Sequence, residues 1–284
     1  MRLPDRRRVV GAGVVLALVA LGVVLFRTPV PAVSGPSATG LTGPESVPHS
    51  HAGMPTGSGA PVPVGGLSAT VGGYSFVVVG TSPFAFRITG PDGKPVTRFA
   101  LVHDKPLHLV VLRRDLSGFQ HVHPTMSADG TWTYPLALPG PGTYRAYADF
   151  TVLDPRQAVV LGTDIDAGSA SPTPLPATST VDSVDGFAVS YAGALTVGVA
   201  EPLLFRVTRG GSPVALQPYL GAYGHLTMLR QTDFGYLHIH PEPGLADGAA
   251  KFWVATPSTG TFRMFLDFQV DGVVRTAAFT VEVR

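Results

Sequence analysis

The sequence predicts an all-β protein: two tandem immunoglobulin-like β-sandwich domains that follow a single N-terminal transmembrane helix. Three observations point there. Short runs rich in β-branched and aromatic residues alternate with Gly- and Pro-containing turns, and past residue 26 no window keeps a 3.6-residue period. The second half of the chain retraces the first at a nearly constant offset. The apolar stretch of residues 9–26 is flanked by arginines.

The N-terminus comes first. Arg2, Arg6, Arg7 and Arg8 precede an uncharged run from Val9 to Phe26, and Arg27 closes it. Eighteen residues rising ~1.5 Å each span roughly 27 Å, close to the hydrocarbon thickness of a bilayer. The run is long for a cleaved signal peptide and has no persuasive Ala-x-Ala behind it. An uncleaved anchor is therefore expected, with secretion after cleavage as the alternative. The arginine cluster places residues 1–8 in the cytoplasm as a basic tail and everything after residue 26 outside. The chain has no Cys, which removes disulfides, thiolate metal sites and lipid attachment through an N-terminal Cys. A net charge of +1 and the lack of a basic stripe exclude nucleic acid as an expected partner.

Residues 27–68 are rich in Pro, Gly, Ser and Ala without a hydrophobic period, and read as a disordered linker. They contain His49-Ser-His51 and Met54. These are either polar linker residues or an auxiliary metal-capturing arm, since imidazole and thioether both suit copper.

Module 1, residues 69–165, carries β-rich runs at 74–79, 84–89, 107–112, 119–123, 131–136, 143–152 and 158–161. Turn signals separate them, among them Pro91-Asp92-Gly93 and Asp129-Gly130. About seven short strands in roughly 95 residues fit an immunoglobulin-like sandwich. Residues 166–180 form a second Pro/Ser/Thr-rich linker, and module 2 occupies 181–284. Phe86-Arg87 recurs as Phe205-Arg206, and Asp149-Phe150 as Asp267-Phe268. The offset drifts only from 119 to 117, so the chain contains an internal duplication.

The chemistry of the chain is concentrated in a repeated motif. His108-(x12)-His121-x-His123-Pro124 recurs without a gap as His225-(x12)-His238-x-His240-Pro241, and these six account for most of the nine histidines. Residues i and i+2 of a strand share a face. His121 and His123 therefore point together, with Val122 opposed, and the same holds for His238 and His240 around Ile239. A hairpin register pairing Leu109 with Val122, and Met228 with Leu237, puts all three histidines of each module on one face and the apolar residues on the other. The apolar face is expected inward and the histidines outward. Three imidazoles suit Cu(II) or Zn(II) rather than Ca(II) or Mg(II). Copper is favoured over zinc by the Irving–Williams order and an extracytoplasmic location.

Asp149 and Asp267 fall by parity on the histidine face. Each is expected as a fourth ligand, as a carboxylate orienting an imidazole, or as the ion-pair partner of a neighbouring Arg. His103 has no counterpart in module 2 and reads as a surface residue, with a ligand role as the alternative. Met126 and Met228 could offer a soft ligand, but Met228 falls on the core face and reads as packing.

The tandem architecture, the anchor and the histidine hairpin resemble a group of predicted actinobacterial membrane-anchored secreted proteins over nearly all of residues 69–284. More loosely, and in architecture only, the modules are similar to the extracytoplasmic sandwiches of YtkA-like and CopC-like copper-handling families. The resemblance implies metal handling or resistance. CopC-like proteins use a histidine at the mature N-terminus; a retained anchor leaves none here, so that ligand set does not carry over. Two other readings stand beside metal handling. One is a cell-surface protein-interaction module that needs no metal and docks an extracytoplasmic protein. The other is a cupin- or dismutase-like metalloenzyme, since a three-histidine site can keep an open position. Against catalysis, the chain shows no Ser/His/Asp set, no Gly-rich phosphate loop and no acid/base carboxylate pair. No catalytic residue is expected.

Overall fold

The computed structural model describes residues 62–284 apart from 238 and 240. The expected anchor (9–26), His49, His51 and Met54, as well as His238 and His240, lie outside the described residues. Among the described residues no helix is long and apolar enough to cross a membrane.

The described chain is all-β. Its first half contributes β1 (Thr70–Val71), β2 (Tyr74–Thr81), β3 (Phe84–Thr89), β4 (Phe99–Ala100), β5 (Leu107–Arg113), β6 (Gln120–Val122), β7 (Thr125–Met126), β8 (Thr131–Tyr134), β9 (Thr143–Val152) and β10 (Gln157–Asp166). They form two antiparallel sheets, ordered β1-β2-β3-β8-β7 and β10-β9-β5-β6, with β4 paired to β9. The second half contributes β11 (Val181–Val184), β12 (Phe187–Ala192), β13 (Glu201–Arg209), β14 (Ser212–Pro213), β15 (His225–Arg230), β16 (Tyr236–Leu237), β17 (Pro241–Ala246), β18 (Ala249–Val254), β19 (Gly260–Val270) and β20 (Val273–Val283). The sheets are β11-β12-β13-β18-β17, with β14 on β13, and β16-β15-β19-β20.

Strand alternation builds one core per sheet pair. In the first, Phe84, Phe86 and Ile88 of β3 meet Leu107, Leu109 and Val111 of β5 and Tyr144, Ala146, Ala148 and Phe150 of β9. In the second, Leu203, Phe205 and Val207 of β13 meet Leu226 and Met228 of β15 and Phe262, Met264, Leu266 and Phe268 of β19. Met228 is fully buried there as packing, and Met126 is packed against the first core. The expected hairpin register is the observed one: Leu109 pairs with Val122, Val110 with His121, and Met228 with Leu237.

The expectation that the histidine face looks outward is overturned. Residues 107 to 112 of β5 are buried on both faces, and β15 is buried from residue 225 to 229. The face opposite each core carries Val110, Leu112 and Tyr147 in one half and Leu229, Tyr236 and Phe265 in the other. These side chains, with Leu116, form a third apolar cluster. The Phe119 ring stacks on Phe265 with centroids 4.0 Å apart, and the Tyr147 hydroxyl donates to the Phe234 carbonyl at 2.7 Å. Burying a large apolar side chain contributes about 1.5–3 kcal/mol. Two sheets carrying such a face cover each other, and the histidines on that face are enclosed with it.

Two connecting segments are drawn into the same seam. Gly65 exchanges backbone hydrogen bonds with Tyr236 at 2.8 and 3.0 Å, and the Gly66 amide donates to Val160 at 3.0 Å. The linker expected through residue 68 thus already makes ordered contacts from Gly65. Gly66 sits at φ +69°, and a Cβ there would lie 2.3 Å from a Tyr147 ring carbon, so only glycine passes. In the second linker, Leu175 packs on the third cluster, and the Thr173 amide donates to Asp115 at 2.6 Å.

Candidate metal centre

His108 stands on β5 opposite Asp149 of β9, and His225 stands on β15 opposite Asp267 of β19. The duplication therefore repeats a His–Asp cross-strand pair in each half. All four are buried: His108 and Asp149 are 7% exposed, His225 6% and Asp267 5%. Such groups lose hydration and need partners. The partners define the site.

A tight turn precedes each of these histidines. Val102 and Lys105 exchange backbone hydrogen bonds, as do Tyr219 and Ala222. His108 Nε2 lies 2.9 Å from the Val102 carbonyl, and His225 Nε2 lies 2.8 Å from the Tyr219 carbonyl. A carbonyl only accepts, so Nε2 carries the proton in both rings and Nδ1 keeps its lone pair. His121, on β6, is fixed the other way round. Its Nδ1 lies 2.7 Å from Asp267 Oδ2, across the seam. The carboxylate accepts the hydrogen bond from Nδ1–H and turns Nε2 toward His108. Asp267 is held in turn by the Thr276 hydroxyl, which donates to Oδ1 at 2.6 Å.

Three imidazole nitrogens converge. His108 Nδ1 is 3.0 Å from His121 Nε2 and 3.1 Å from His123 Nε2. One nitrogen from each of His108, His121 and His123 lies within 4.8 Å of the others. At 3.0 Å, His108 Nδ1 and His121 Nε2 are close enough to share a proton or to ligate one metal ion. With metal–nitrogen bonds of ~2.0–2.1 Å, ligand nitrogens around one tetrahedral ion sit roughly 3.3 Å apart. The triad is already close to that spacing, and it can hold a metal ion.

Burial disfavours protons on His108 and His123. Enclosure, followed by the charge of His121, lowers the His108 pKa to about 4. Enclosure, followed by the charges of His121 and His108, lowers that of His123 to about 2. His225 is also lowered, first by burial. Neutral imidazole is the form that binds a metal.

Of the sequence-predicted residues, the structure brings His108, His121 and His123 together and places His225 beside them, with its ring 6.2 Å from that of His121. Asp267 orients an imidazole of the other half, an arrangement that parity within one module does not reveal. Asp149 accepts from the buried Tyr236 hydroxyl, whose pKa is raised well above its ordinary value by burial first and then by this carboxylate. The neighbouring Arg145 pairs with Asp164 at 3.0 Å. His103, expected on the surface, is half-buried with its ring 5.0 Å from His225 and 6.0 Å from His108. Sequence reasoning also passed over Tyr236 and Thr276. The available signal was the run of apolar residues sharing the histidine face, which marks that face as covered.

Among curated proteins none matches the sequence. A solved structure described as "Anomalous substructure of Titin-A168169" aligns over 78% of this chain and 95% of its own, at 8% identity and a TM-score of 0.18. That likeness is too slight to bear on fold or function. One family profile matches both halves, over residues 63–164 and 182–284, and it is described only as a domain of unknown function. On that coverage, the chain belongs to the DUF8832 family and carries its domain twice.

Proposed function

We propose that this protein binds metal outside the cytoplasm, with copper favoured over zinc, and serves in metal handling or resistance. The observation that carries the reading is the convergence of three imidazole nitrogens: His108 Nδ1 lies 3.0 Å from His121 Nε2 and 3.1 Å from His123 Nε2. The rings of His108 and His121 are held by Val102 and Asp267. Three imidazole donors favour Cu(II) over Zn(II) by the Irving–Williams order. By the duplication, His225, His238 and His240 make the equivalent set in module 2, and the two immunoglobulin-like modules are held at the membrane by residues 9–26. His49, His51 and Met54 form an auxiliary capturing arm on the tether.

The test is calorimetric titration of the full chain in detergent with Cu(II) and Zn(II), compared with His121→Ala and His123→Ala. The reading expects tight binding, tighter for copper, and loss of one equivalent in either variant. Binding weaker than about 10 μM, which corresponds to roughly −7 kcal/mol, or titrations unchanged by both substitutions, contradicts it. That outcome leaves the triad as a proton-sharing network in an interaction module.

A further inference from the structure

Where the two modules meet, His103, His108, His121 and Asp149 of the first face His225 and Tyr236 of the second across one cleft. We infer that this cleft is a two-ion centre, in which His103 and His225, one from each module, donate to a second metal ion beside the His108/His121/His123 triad. The inference rests on the triad binding metal and adds a ligand that the repeated motif does not contain.

The first support is spacing. Ring centroids within the triad are 4.9, 5.0 and 5.2 Å apart. The His103 and His225 rings are 5.0 Å apart, the same separation as within the triad. The second support is the tautomer of His225. Its Nε2–H is given to Tyr219, as His108 gives its own to Val102, so Nδ1 is its ligand atom.

The third support is what the turn does not require. His103 and Asp104 take φ +48° and +60°, and their counterparts Leu220 and Gly221 take +52° and +76°. The two turns close with the same pair of backbone hydrogen bonds. Leucine therefore makes this turn as well as histidine does, and the imidazole at 103 is not there for the backbone. The turns also meet: a Cβ on Gly221 would lie 3.7 Å from an Asp104 carboxylate oxygen. That contact carries His103 across the seam to the second module's histidine. The two ions would then have unequal shells, because position 220 offers no imidazole to the first.

The experiment uses the full chain in detergent with His49→Ala and His51→Ala throughout, so that the ions counted are those of the cleft. Cu(II) is added stepwise, and electron paramagnetic resonance follows nitrogen hyperfine structure and the half-field transition of coupled spins. The inference expects two equivalents and a coupled signal. His103→Leu should weaken the second step at least tenfold and abolish the coupling while the first ion's hyperfine pattern persists. His103→Asn, which also tolerates a positive φ, should behave alike and guards against a folding defect in the leucine variant. A single equivalent in the parent, or two equivalents with coupling unchanged in both variants, overturns the two-ion centre and leaves the His108/His121/His123 triad standing. Absence of any tight copper binding overturns both.

Discussion

At the residue scale the most informative contact is His121 to Asp267. A carboxylate from one module fixes the tautomer of an imidazole in the other, and Thr276 holds that carboxylate in place. Removing such an outer partner typically costs a metal site 10–100-fold in affinity. Asp267→Ala should therefore weaken Cu(II) binding at the module 1 triad by about that factor, although residue 267 is not among the three clustered ligands. Calorimetry would read the change, and unchanged affinity would show that the carboxylate plays no part in holding the imidazole. The lowered pKa values make a second claim. His108 at about 4 and His123 at about 2 bind fewer protons folded than unfolded, where the ordinary value is 6.5. Above pH 6.5 both states are neutral and the groups contribute no pH dependence. As pH falls, the unfolded chain takes up protons first, so stability drops from pH 6.5 downward through about pH 4. Urea midpoints of the metal-free protein, taken between pH 7.5 and 4, should decline over that window. A flat profile would mean that the histidines are not enclosed as described.

At the element scale the decisive strands are β5, β9, β15 and β19, each burying two faces. Phe265 of β19 illustrates the consequence, since it is 4% exposed and stacks on Phe119 rather than on its own core. Truncating a buried phenylalanine costs about 3–5 kcal/mol, whereas an exposed position such as Val77 of β2 costs within about 0.5 kcal/mol. Denaturant unfolding of Phe265→Ala and Val77→Ala should reproduce that contrast, and similar small losses in both would mean that the seam contributes little. Much of this was legible in the sequence. Alternation in 84–89 and 143–152 places those strands, and the paired apolar residues Leu109/Val122 and Met228/Leu237 give the hairpin register. The outer face was not read correctly, because parity separates two faces without saying which one meets water. Val110, Leu112, Tyr147, Leu229 and Phe265 share the histidine face, and a solvated face would not carry five such side chains. The short strands β1, β4, β7 and β14 are two residues each, too short to leave a period.

At the scale of the whole molecule, duplication explains why the site is where it is. A single module has a sheet face that is part apolar and part histidine, and on its own it would expose both. A second copy turned toward the first covers the apolar part and encloses the histidines. It also contributes Asp267 to one side of the cleft and Tyr236 to the other. The connecting segments follow the same seam, through Gly65 and Gly66 before the first sandwich and Leu175 between the two. The cross-module contacts were beyond sequence reasoning because each depends on how two sheets dock, which no local pattern encodes.

The central claim is that His108, His121 and His123 act together as a metal site. X-ray absorption at the copper edge tests it most directly, on the full chain in detergent with His49→Ala and His51→Ala and one equivalent of Cu(II). The account predicts nitrogen scatterers at about 2.0 Å with the multiple-scattering pattern of three imidazoles, reduced in His121→Ala. A shell of oxygens alone, or an imidazole pattern that His121→Ala leaves intact, would contradict it.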